Sequence, residues 1–342
     1  MKLLLITQTI DRNDLYLGFF HRWVEELAKH TEKITVVCLT EGEHALPANV
    51  QVLSLGKEQG TSRLGRAVRL FRYSRSAQYD AVLVHMNQEY PLLAGWYWAL
   101  RGKRIYMWRN HYAGNLLTDI AAAFCTKVFC TSKYSYTAKY KKTVLMPVGV
   151  DTILYRSVAA PLPRSILFYA RIAPSKRADL LVEALGVLKA KGVTYSADIY
   201  GSPLPVDKLY LVELKDRVAA LGIGGQVKFF PGAPHAEGPN IFSTHEIFVD
   251  PSRSGMFNKM LFEAAACGAL PLAVSEDWAA LAGKDLQFAP TVTALADALE
   301  RMLAGGEESK KVQRERLRVV VQGNSLEVLA KRLVRAMEYH KH

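Results

Sequence analysis

Three cations surround the start of a predicted helix in the second half of the chain. Arg171, Lys176 and Arg177 follow the apolar run SILFYA and precede a helical pattern. The positive end of a helix dipole prefers anions, by about 0.3–1 kcal/mol per charge. A bound phosphate would be held jointly by these side chains and by backbone N–H groups. The residues therefore indicate either a phosphate site or a solvated basic loop, and alone they favour neither.

A second candidate anion site lies in SGMFNKMLFEAAACG, residues 254–268. Gly255 allows close backbone approach to a ligand, and the N–H groups of residues 257–260 are expected to be open donors of a first helical turn. The following helix is apolar nearly all round, which is typical of a buried helix, yet it carries Glu263. Sugar hydroxyls or a salt bridge to Lys or Arg could pair with that carboxylate. The predicted contacts are Gly255, Met256, Phe257, Asn258, Lys259 and Met260.

Short apolar runs alternate with amphipathic helical patterns along the whole chain, which predicts an α/β protein with parallel sheets. Between Met146 and Pro163 the pattern stops and three prolines occur, so a domain boundary is expected there. We predict Rossmann-like domains over residues 1–150 and 151–324, whose parallel sheets face a central cleft. A helix over about 325–342 is expected to cross back onto the first domain. Candidate strands begin at Lys2, Lys33, Val50, Ala81, Arg104, Lys127, Ser165, Thr194, Gln226 and Glu246.

Composition narrows the class of partner. The 342 residues carry 44 Lys and Arg against 32 Asp and Glu, a formal charge of +12, which indicates an anionic partner such as a nucleotide phosphate or lipid headgroup. The start MKLLLITQTI lacks signal-peptide features, and no apolar run is long enough to span a bilayer. Four cysteines without paired spacing indicate buried thiols in a reducing compartment: Cys38, Cys125, Cys130 and Cys267. We therefore expect a cytoplasmic protein, with peripheral contact to the inner face of a membrane left open.

The motifs taken together resemble the donor-binding half of family 4 glycosyltransferases, which are retaining enzymes of the GT-B fold. ILFYAR-IAPSK, DIYGSP, LGIGGQVKFFPG and IFVDPSRSGMFNKMLFEAAACG carry the resemblance, and MPVGVDTILY resembles the family's interdomain segment. The resemblance implies that Arg171 and Lys176 contact the donor diphosphate and act in catalysis. It also implies that Glu263 holds the nucleotide ribose and that Gly201 lies in the donor site.

One departure from the family pattern concerns the donor sugar. The family has a first glutamate eight positions before the second, and here that position is Gly255. In the N-terminal half, Gly18 matches a glycine-containing loop near the donor. His111 matches the family's histidine beside the donor sugar, and we assign it to catalysis. The alternative is a structural role, because a lone histidine often lies in the core or on the surface without a function. Asn87, Gln88 and Glu89 follow a strand and are candidate acceptor contacts.

Arginine recurs every three residues in LGRAVRLFRYSR, at Arg63, Arg66, Arg69, Arg72 and Arg75. On a helix this spacing drifts by about 60° per step, so the five do not share one face. The series fits either a solvated basic face or a site for an anionic lipid or lipid-linked pyrophosphate acceptor.

The sequence as a whole predicts an enzyme that moves a sugar from a nucleoside-diphosphate sugar to a hydroxyl of a glycan or lipid-linked acceptor. Retention of anomeric configuration is what the resemblance implies. No GxGxxG follows the first strand, no P-loop occurs and no DxD pair is present, so we expect neither a cofactor nor a metal, and no nucleic-acid partner. Two alternatives stay open: a sugar-nucleotide epimerase of related fold, and a non-catalytic binder of anionic polymer or membrane.

Overall fold

The computed structural model describes residues 1–14, 17–253 and 258–338. The chain divides into two compact units. One consists of Met1–Gly149 and Leu326–His342, and the other of Val150–Ser325. Gly255, Met256 and Phe257, which were predicted as donor contacts, lie outside the described residues.

The first unit is a parallel sheet of seven strands in the order β3-β2-β1-β4-β5-β6-β7. The buried strands read as continuous apolar runs, which is typical of a sheet covered by helices on both faces. The elements are β1 (Lys2–Ile10), α1 (Phe19–Ala28), β2 (Lys33–Glu41), β3 (Val50–Ser54), α2 (Arg63–Ser76), β4 (Ala81–His85), α3 (Glu89–Leu100), β5 (Arg104–Trp108), α4 (Leu116–Phe124), β6 (Lys127–Cys130) and β7 (Thr143–Leu145).

The second unit is a parallel sheet of five strands in the order β10-β9-β8-β11-β12. Its elements are β8 (Leu162–Tyr169), α5 (Ala178–Ala190), β9 (Ser196–Tyr200), α6 (Lys208–Ala220), β10 (Val227–Phe230), α7 (Gly238–Ser243), β11 (His245–Asp250), α8 (Lys259–Ala266), β12 (Leu270–Ala273), α9 (Glu276–Ala282), α10 (Val292–Ala304) and α11 (Glu307–Gly323). A parallel bridge between Val150 and Ser325 ties the two ends of this unit together.

The last helix, α12 (Leu326–Glu338), belongs to the first unit and packs on α1. Its apolar face is buried with Trp23 and Leu27 of α1 in one core. Cations from the sheet donate to its final carbonyl oxygens: Arg104 Nη1 lies 2.7 Å from the Met337 oxygen and Lys127 Nζ lies 2.7 Å from the Ala336 oxygen. Positive charge at a helix C-terminus is favourable, so the sheet fixes where α12 ends.

Helices cover the two faces of the first sheet differently. α1 and α12 pack on one face, whereas α2, α3 and α4 contribute buried residues to the core on the other.

All four cysteines are free and buried, as the sequence predicted. Burial raises the pKa of Cys38, Cys125 and Cys267 to about 12, so these thiols stay protonated at neutral pH. Among the described helices, none has the length and apolar composition needed to cross a bilayer.

His85, at the end of β4, is a core histidine. Its ring stacks on Phe20 with centroids 4.0 Å apart, and Nδ1 lies 3.3 Å from Thr7 Oγ1. Burial lowers the pKa of His85 to about 3. No sequence motif assigns this residue a function, and its surroundings suggest none, because it packs against Phe20 and Trp23 of α1.

The low pKa of His85 predicts an acid-sensitive first unit. Between about pH 6.5 and pH 3 the unfolded chain binds this proton and the folded chain does not, so stability is greatest above pH 6.5 and falls with decreasing pH. The slope should reach about 1.4 kcal/mol per pH unit. Urea unfolding of the wild type and of His85→Gln, from pH 7 to pH 4.5, measures it. The variant should have the shallower slope, and His44→Gln, at a partly exposed histidine, should keep that of the wild type. Equal slopes in all three proteins would refute the assignment.

Candidate functional site

The strand order of the second unit creates a crevice between the loops that follow β8 and β11. β8 is central, and the chain moves from it to β9 and β10 on one side, then to β11 and β12 on the other. Ligands of open α/β sheets bind at such a switch point, outside the carboxyl ends of the strands. The cationic loop with Arg171 and Lys176 follows β8, and the segment leading to Glu263 follows β11. The fold therefore brings the two predicted anion-binding loops to neighbouring strand ends.

The loop after β8 presents two cations to solvent. Arg171 is exposed and Lys176 is half-exposed, and neither side chain pairs with a carboxylate in the part of the chain that the structure describes. Arg177 differs, because its Nε lies 3.4 Å from Asp179 Oδ2. Its backbone is left-handed, with φ 56° and ψ 40°, and α5 begins at the next residue. Arg171 and Lys176 are thus available to an anion.

The first turn of α5 offers fewer backbone donors than the sequence suggested. The Asp179 N–H donates to Tyr210 Oη at 3.1 Å, and the hydroxyl donates in turn to Asp179 Oδ1 at 2.8 Å. The Leu180 N–H donates to the Arg177 oxygen at 3.1 Å. Side-chain cations, more than the helix N-terminus, must therefore hold an anion here.

α8 begins with a side-chain cap. Asn258 Oδ1 accepts the Met260 N–H at 3.1 Å, and Asn258 Nδ2 donates to Asp250 Oδ2 at 3.0 Å. The prediction that Met260 has an open N–H is therefore wrong, because an Asn at the N-cap satisfies that donor. Asp250 Oδ1 also accepts the Ser252 N–H, so the end of β11 fixes the chain on both sides of residues 254–257.

Glu263 is buried within α8, with only 4% of its surface exposed. Lys259 Nζ lies 2.9 Å from Glu263 Oε1, which is the i,i+4 ion pair that the sequence held open as an alternative. The angles between Lys259 Nζ and Glu263 Oε1 do not meet hydrogen-bond geometry, so this buried oxygen accepts no hydrogen bond from the described residues. A buried carboxylate oxygen without a donor is costly unless a ligand supplies one. Sugar hydroxyls would supply such a donor.

Two side chains that the sequence did not single out adjoin Glu263. Tyr155 Oη lies 2.8 Å from His235 Nδ1. Burial, reinforced by the negative charge of Glu263, raises the pKa of Tyr155, whereas burial lowers the pKa of His235 against the opposing effect of Glu263. His235 is therefore neutral at pH 7, and its buried Nε2 has no hydrogen-bond partner among the residues described. The sequence could have pointed to them only by position: Tyr155 follows VGVD, and His235 follows the predicted strand QVKFFPG.

Tyr155 is held by backbone features of the interdomain segment. Asp151 Oδ1 accepts the N–H groups of Ile153 and Leu154, at 3.1 and 3.2 Å, and the resulting turn places Tyr155. Gly238 makes room for it, because a Cβ there would lie 2.7 Å from the Tyr155 hydroxyl oxygen. The MPVGVDTILY segment thus builds one wall of the Glu263 surroundings.

Gly201 lies where the ends of β8 and β9 approach each other. A Cβ at this position would lie 1.9 Å from the carbonyl oxygen of Ala170, so a larger residue would displace backbone. Its N–H donates to the Phe230 oxygen at 3.0 Å. The structure gives Gly201 a packing role; contact with a donor stays a prediction.

Gly201→Ala should destabilise the second unit, because the methyl group would overlap a carbonyl oxygen that belongs to the sheet edge. Overpacking of this kind costs about 1–3 kcal/mol. Denaturant unfolding followed by circular dichroism measures the loss. Gly224→Ala is the matched control, since a Cβ there meets nothing within 4 Å. Equal stability of the two variants would contradict the close approach at Gly201.

The first unit has the same kind of switch point, between β1 and β4. Gly18, after β1, caps α1, and its N–H donates to the Asp14 oxygen at 3.0 Å. A Cβ there would lie 2.6 Å from that oxygen, so glycine is required by packing. Asn87, Gln88 and Glu89 follow β4, which puts them at the neighbouring strand end.

The polar residues after β4 make two separate sets of side-chain hydrogen bonds. Gln88 Oε1 accepts from Thr118 Oγ1 at 2.6 Å and from Arg109 Nε at 3.2 Å, and Asn87 Oδ1 accepts from Gln8 Nε2 at 2.9 Å. Glu89 is exposed in the first turn of α3. Gln88 is therefore largely occupied in positioning its neighbours, whereas Glu89 remains open to solvent.

His111 lies after β5 and is partly exposed. Its Nδ1 accepts the Ala113 N–H at 2.9 Å, and its ring stacks on Tyr112 with centroids 4.6 Å apart. This hydrogen bond orients the imidazole and leaves Nε2 directed away from the loop backbone. The lone histidine is thus a surface residue of a strand-end loop, not a core residue.

The described residues contain no group of three or more His, Cys, Asp or Glu side chains placed to hold a metal ion.

A separate cavity of about 500 Å³ lies against the C-terminal end of α8 and is lined by residues that include Arg314 and Arg318. Arg314 Nε donates to the Gly268 oxygen at 2.9 Å, and Arg318 pairs with Glu315. Two of its three lining arginines are therefore paired, whereas the third, Arg156, is exposed.

The second unit is similar to a known family of proteins. Residues 157–318 match the family model of glycosyl transferases group 1, which confirms the resemblance carried by the motifs. D-inositol 3-phosphate glycosyltransferase of Segniliparus rotundus is 28% identical over 164 residues, covering 41% of this chain and 35% of that protein. The matched segment thus spans little more than a third of the relative's length.

Solved structures establish the fold of the whole chain. HepE (Alr3699) of Anabaena, in complex with UDP and glucose, aligns with a TM-score of 0.78 and 16% identity, covering 98% of this chain and 99% of HepE. Sucrose-phosphate synthase of Thermosynechococcus elongatus aligns with a TM-score of 0.75 and 17% identity, covering 98% of each chain. The E. coli trehalose-6-phosphate protein bound with UDP-2-fluoro glucose aligns with a TM-score of 0.75 and 12% identity, covering 100% of each chain. The predicted α/β GT-B fold is confirmed.

Proposed function

Because residues 157–318 belong to glycosyl transferases group 1 and the chain has the GT-B fold, we propose that it transfers a sugar from a nucleoside-diphosphate sugar to an acceptor hydroxyl. The observation that carries the proposal is the chemistry at the β8/β11 switch point. Flanking it are two cations that pair with no carboxylate among the described residues, and the buried Glu263, whose Oε1 accepts no hydrogen bond among them although Lys259 Nζ lies 2.9 Å away. A nucleoside diphosphate presents the matching groups, an anionic diphosphate and a ribose diol.

Each residue has a role in this proposal. Arg171 and Lys176 neutralise the diphosphate and stabilise the charge that develops on it as it leaves. Glu263 accepts hydrogen bonds from the ribose hydroxyls. Lys259, now paired with Glu263, contributes positive charge at the start of α8. The complexes of HepE with UDP and with UDP-glucose support a donor of this class.

The first unit supplies the acceptor side of the proposal. Glu89 and Asn87 contact acceptor hydroxyls, Gly18 keeps its loop close to the sheet end, and His111 helps to position the donor sugar. The acceptor is a glycan or a lipid-linked sugar of polysaccharide or glycolipid synthesis. We further propose retention of anomeric configuration and action in the cytoplasm. The four free thiols support a reducing compartment.

A panel of nucleotides and their sugars tests this function. UDP, GDP, ADP, TDP, CMP and their common sugars are added in a thermal-shift assay, and transfer to candidate acceptors is followed with the donor that binds. Ligand at about a hundred times its Kd should stabilise the protein by about 2.7 kcal/mol. Isomerised sugar without transfer would favour an epimerase. Absence of any shift, with salt-sensitive binding to polyanions, would favour a non-catalytic binder.

Metal independence is a further part of the proposal. Transfer should keep its rate in excess EDTA and should not rise with Mg²⁺ or Mn²⁺, because Arg171, Lys176 and Lys259 supply the positive charge. The assay compares initial rates with and without chelator at fixed ionic strength. A drop of tenfold or more on chelation, restored by added Mn²⁺, would refute metal independence while leaving the transferase proposal intact.

A further inference from the structure

Helices α2 and α3, on one face of the first sheet, carry several large apolar side chains that are exposed. On α2, Leu64 is 76% exposed and Val68 is 60% exposed. On α3, Trp96 is 50% exposed and Leu100 is 81% exposed, and Leu93 lies beside them. An exposed apolar patch on several neighbouring elements marks an interaction site, whereas single exposed residues need no explanation.

Helical spacing places these side chains on common faces with arginines. Leu64, Val68, Arg72 and Arg75 fall within about 80° of arc on α2, and Leu93, Trp96 and Leu100 fall within about 60° on α3. Arg63, Arg72 and Arg75 are exposed, and α2 contains no acidic residue. We call Leu64, Val68, Arg72, Arg75, Leu93, Trp96 and Leu100 the basic-apolar face; Arg63, which begins α2, lies about 100° from Leu64 and is outside it.

The two helices form one continuous surface. Phe71 of α2 contacts two aromatic rings of α3, with centroid distances of 6.1 Å to Trp96 and 5.5 Å to Tyr97. Arg69 is turned away to donate to the Leu55 oxygen, so it belongs to the support of α2. Trp96 Nε1 donates to the Leu93 oxygen, so the only polar atom of the indole already has a hydrogen-bond partner.

A comparison within the chain separates apolarity from charge. The second unit also exposes apolar residues on and beside α6, at Val206, Leu209 and Val212. There the same helix carries acidic residues, Glu213 and Asp216, among its lysines and arginine. The exposed apolar residues of α6 therefore lie among charges of both signs, whereas the charged residues of α2 are all arginines.

We propose that the basic-apolar face binds the surface of an anionic lipid bilayer. Leu, Val and Trp side chains enter the boundary of headgroups and acyl chains, and the arginines contact lipid phosphates. Trp is favoured at this boundary because it is amphipathic. The surface lies wholly in the first unit and its binding requires no nucleotide, so the proposal stands or falls separately from the transferase proposal.

Trp96 provides a direct readout. The other four tryptophans, Trp23, Trp98, Trp108 and Trp278, are buried. Vesicles of phosphatidylcholine mixed with phosphatidylglycerol should shift the protein's tryptophan emission to the blue, and brominated lipid should quench it. Trp96→Phe should abolish both changes while the protein still sediments with the vesicles. An unchanged emission in the wild type, at lipid concentrations where vesicles sediment it, would overturn this orientation on the membrane.

The charge requirement is tested by a double variant, Arg72→Gln with Arg75→Gln. Each basic residue near an anionic surface contributes about fivefold in affinity, so this variant should partition onto these vesicles about 25 times more weakly. The matched control removes two exposed lysines of the second unit, Lys284→Gln and Lys311→Gln. It should bind like the wild type, and neither protein should bind pure phosphatidylcholine with this affinity.

Two outcomes would overturn the membrane proposal. Equal loss of binding in the double variant and its control would mean that only net charge matters. A stable dimer in sedimentation equilibrium without lipid, broken by Leu64→Ser with Leu100→Ser, would mean that a second copy covers the face. Circular dichroism and a thermal unfolding curve establish that each variant is folded.

Discussion

Replacing Glu263 with Gln is expected to weaken binding of every nucleotide that carries the preferred base, whatever its number of phosphates. The carboxylate would lose charge-assisted hydrogen bonds from the ribose hydroxyls, each worth about 1.5–3 kcal/mol. Affinity should therefore fall about 10- to 100-fold for nucleoside, monophosphate and diphosphate alike. Isothermal titration on the purified wild type and variant measures these ratios.

The competing explanation is that Glu263 is there to pair with Lys259. On that explanation, Glu263→Gln would lower the melting temperature and leave nucleotide affinity unchanged at temperatures where the protein is folded. Lys259→Met separates the two, since it removes the ion pair but leaves the carboxylate. Glu213→Gln, at an exposed carboxylate of α6, serves as the neutral control. A Lys259→Met protein that loses nucleoside affinity as fully as Glu263→Gln would contradict a ribose contact.

Replacing Arg171 and Lys176 together with Ala is expected to have the largest effect on turnover. These cations would stabilise charge that develops only as the diphosphate departs, so they lower the barrier as well as assisting binding. Loss of one preorganised electrostatic contact typically costs about 10²–10³ in rate. We expect kcat/KM to fall about 100-fold for each single variant and at least 1000-fold for the pair, measured in a transfer assay.

Arg177→Asn is the matched control for that pair. Arg177 lies in the same loop but already contacts Asp179, and Asn tolerates the left-handed backbone at this position. Its kcat/KM should stay within a few-fold of the wild-type value. If Arg177→Asn were as damaging as the pair, loop structure or net charge would explain the effect, and the assignment of Arg171 and Lys176 to the diphosphate would be wrong.

The alternation of apolar runs and amphipathic patterns predicted the class of fold because βα units have a strong local signal. Every strand predicted from the sequence is present. Two short strands, β7 (Thr143–Leu145) and β12 (Leu270–Ala273), were not predicted, because three or four residues show little periodicity. The order of strands could not be read from the sequence, since any order satisfies the same alternation. That order places the loop that contains Arg171 and the segment that leads to Glu263 after adjacent strands, at a switch point.

The candidate site was predictable where charge conflicts with local structure. Cations at a helix start and a carboxylate in an apolar helix are visible in the sequence. The contacts of Tyr155 with His235, and of Tyr210 with Asp179, join residues 80 and 31 positions apart, and no local pattern reveals them. The cap by Asn258 was missed for another reason. An Asn at this position is compatible with a ligand contact as well as with a helix cap, and only its hydrogen bonds with Met260 and Asp250 identify it as a cap.

The central claim is that the β8/β11 switch point binds a nucleoside diphosphate through separate ribose and phosphate contacts. The most direct measurement is titration calorimetry of the preferred nucleoside monophosphate and diphosphate on three proteins: the wild type, Glu263→Gln, and Arg171→Ala with Lys176→Ala. The account predicts that Glu263→Gln weakens both ligands by the same factor. It predicts that the paired variant removes most of the advantage of the diphosphate over the monophosphate. An unchanged diphosphate advantage in the paired variant would contradict it.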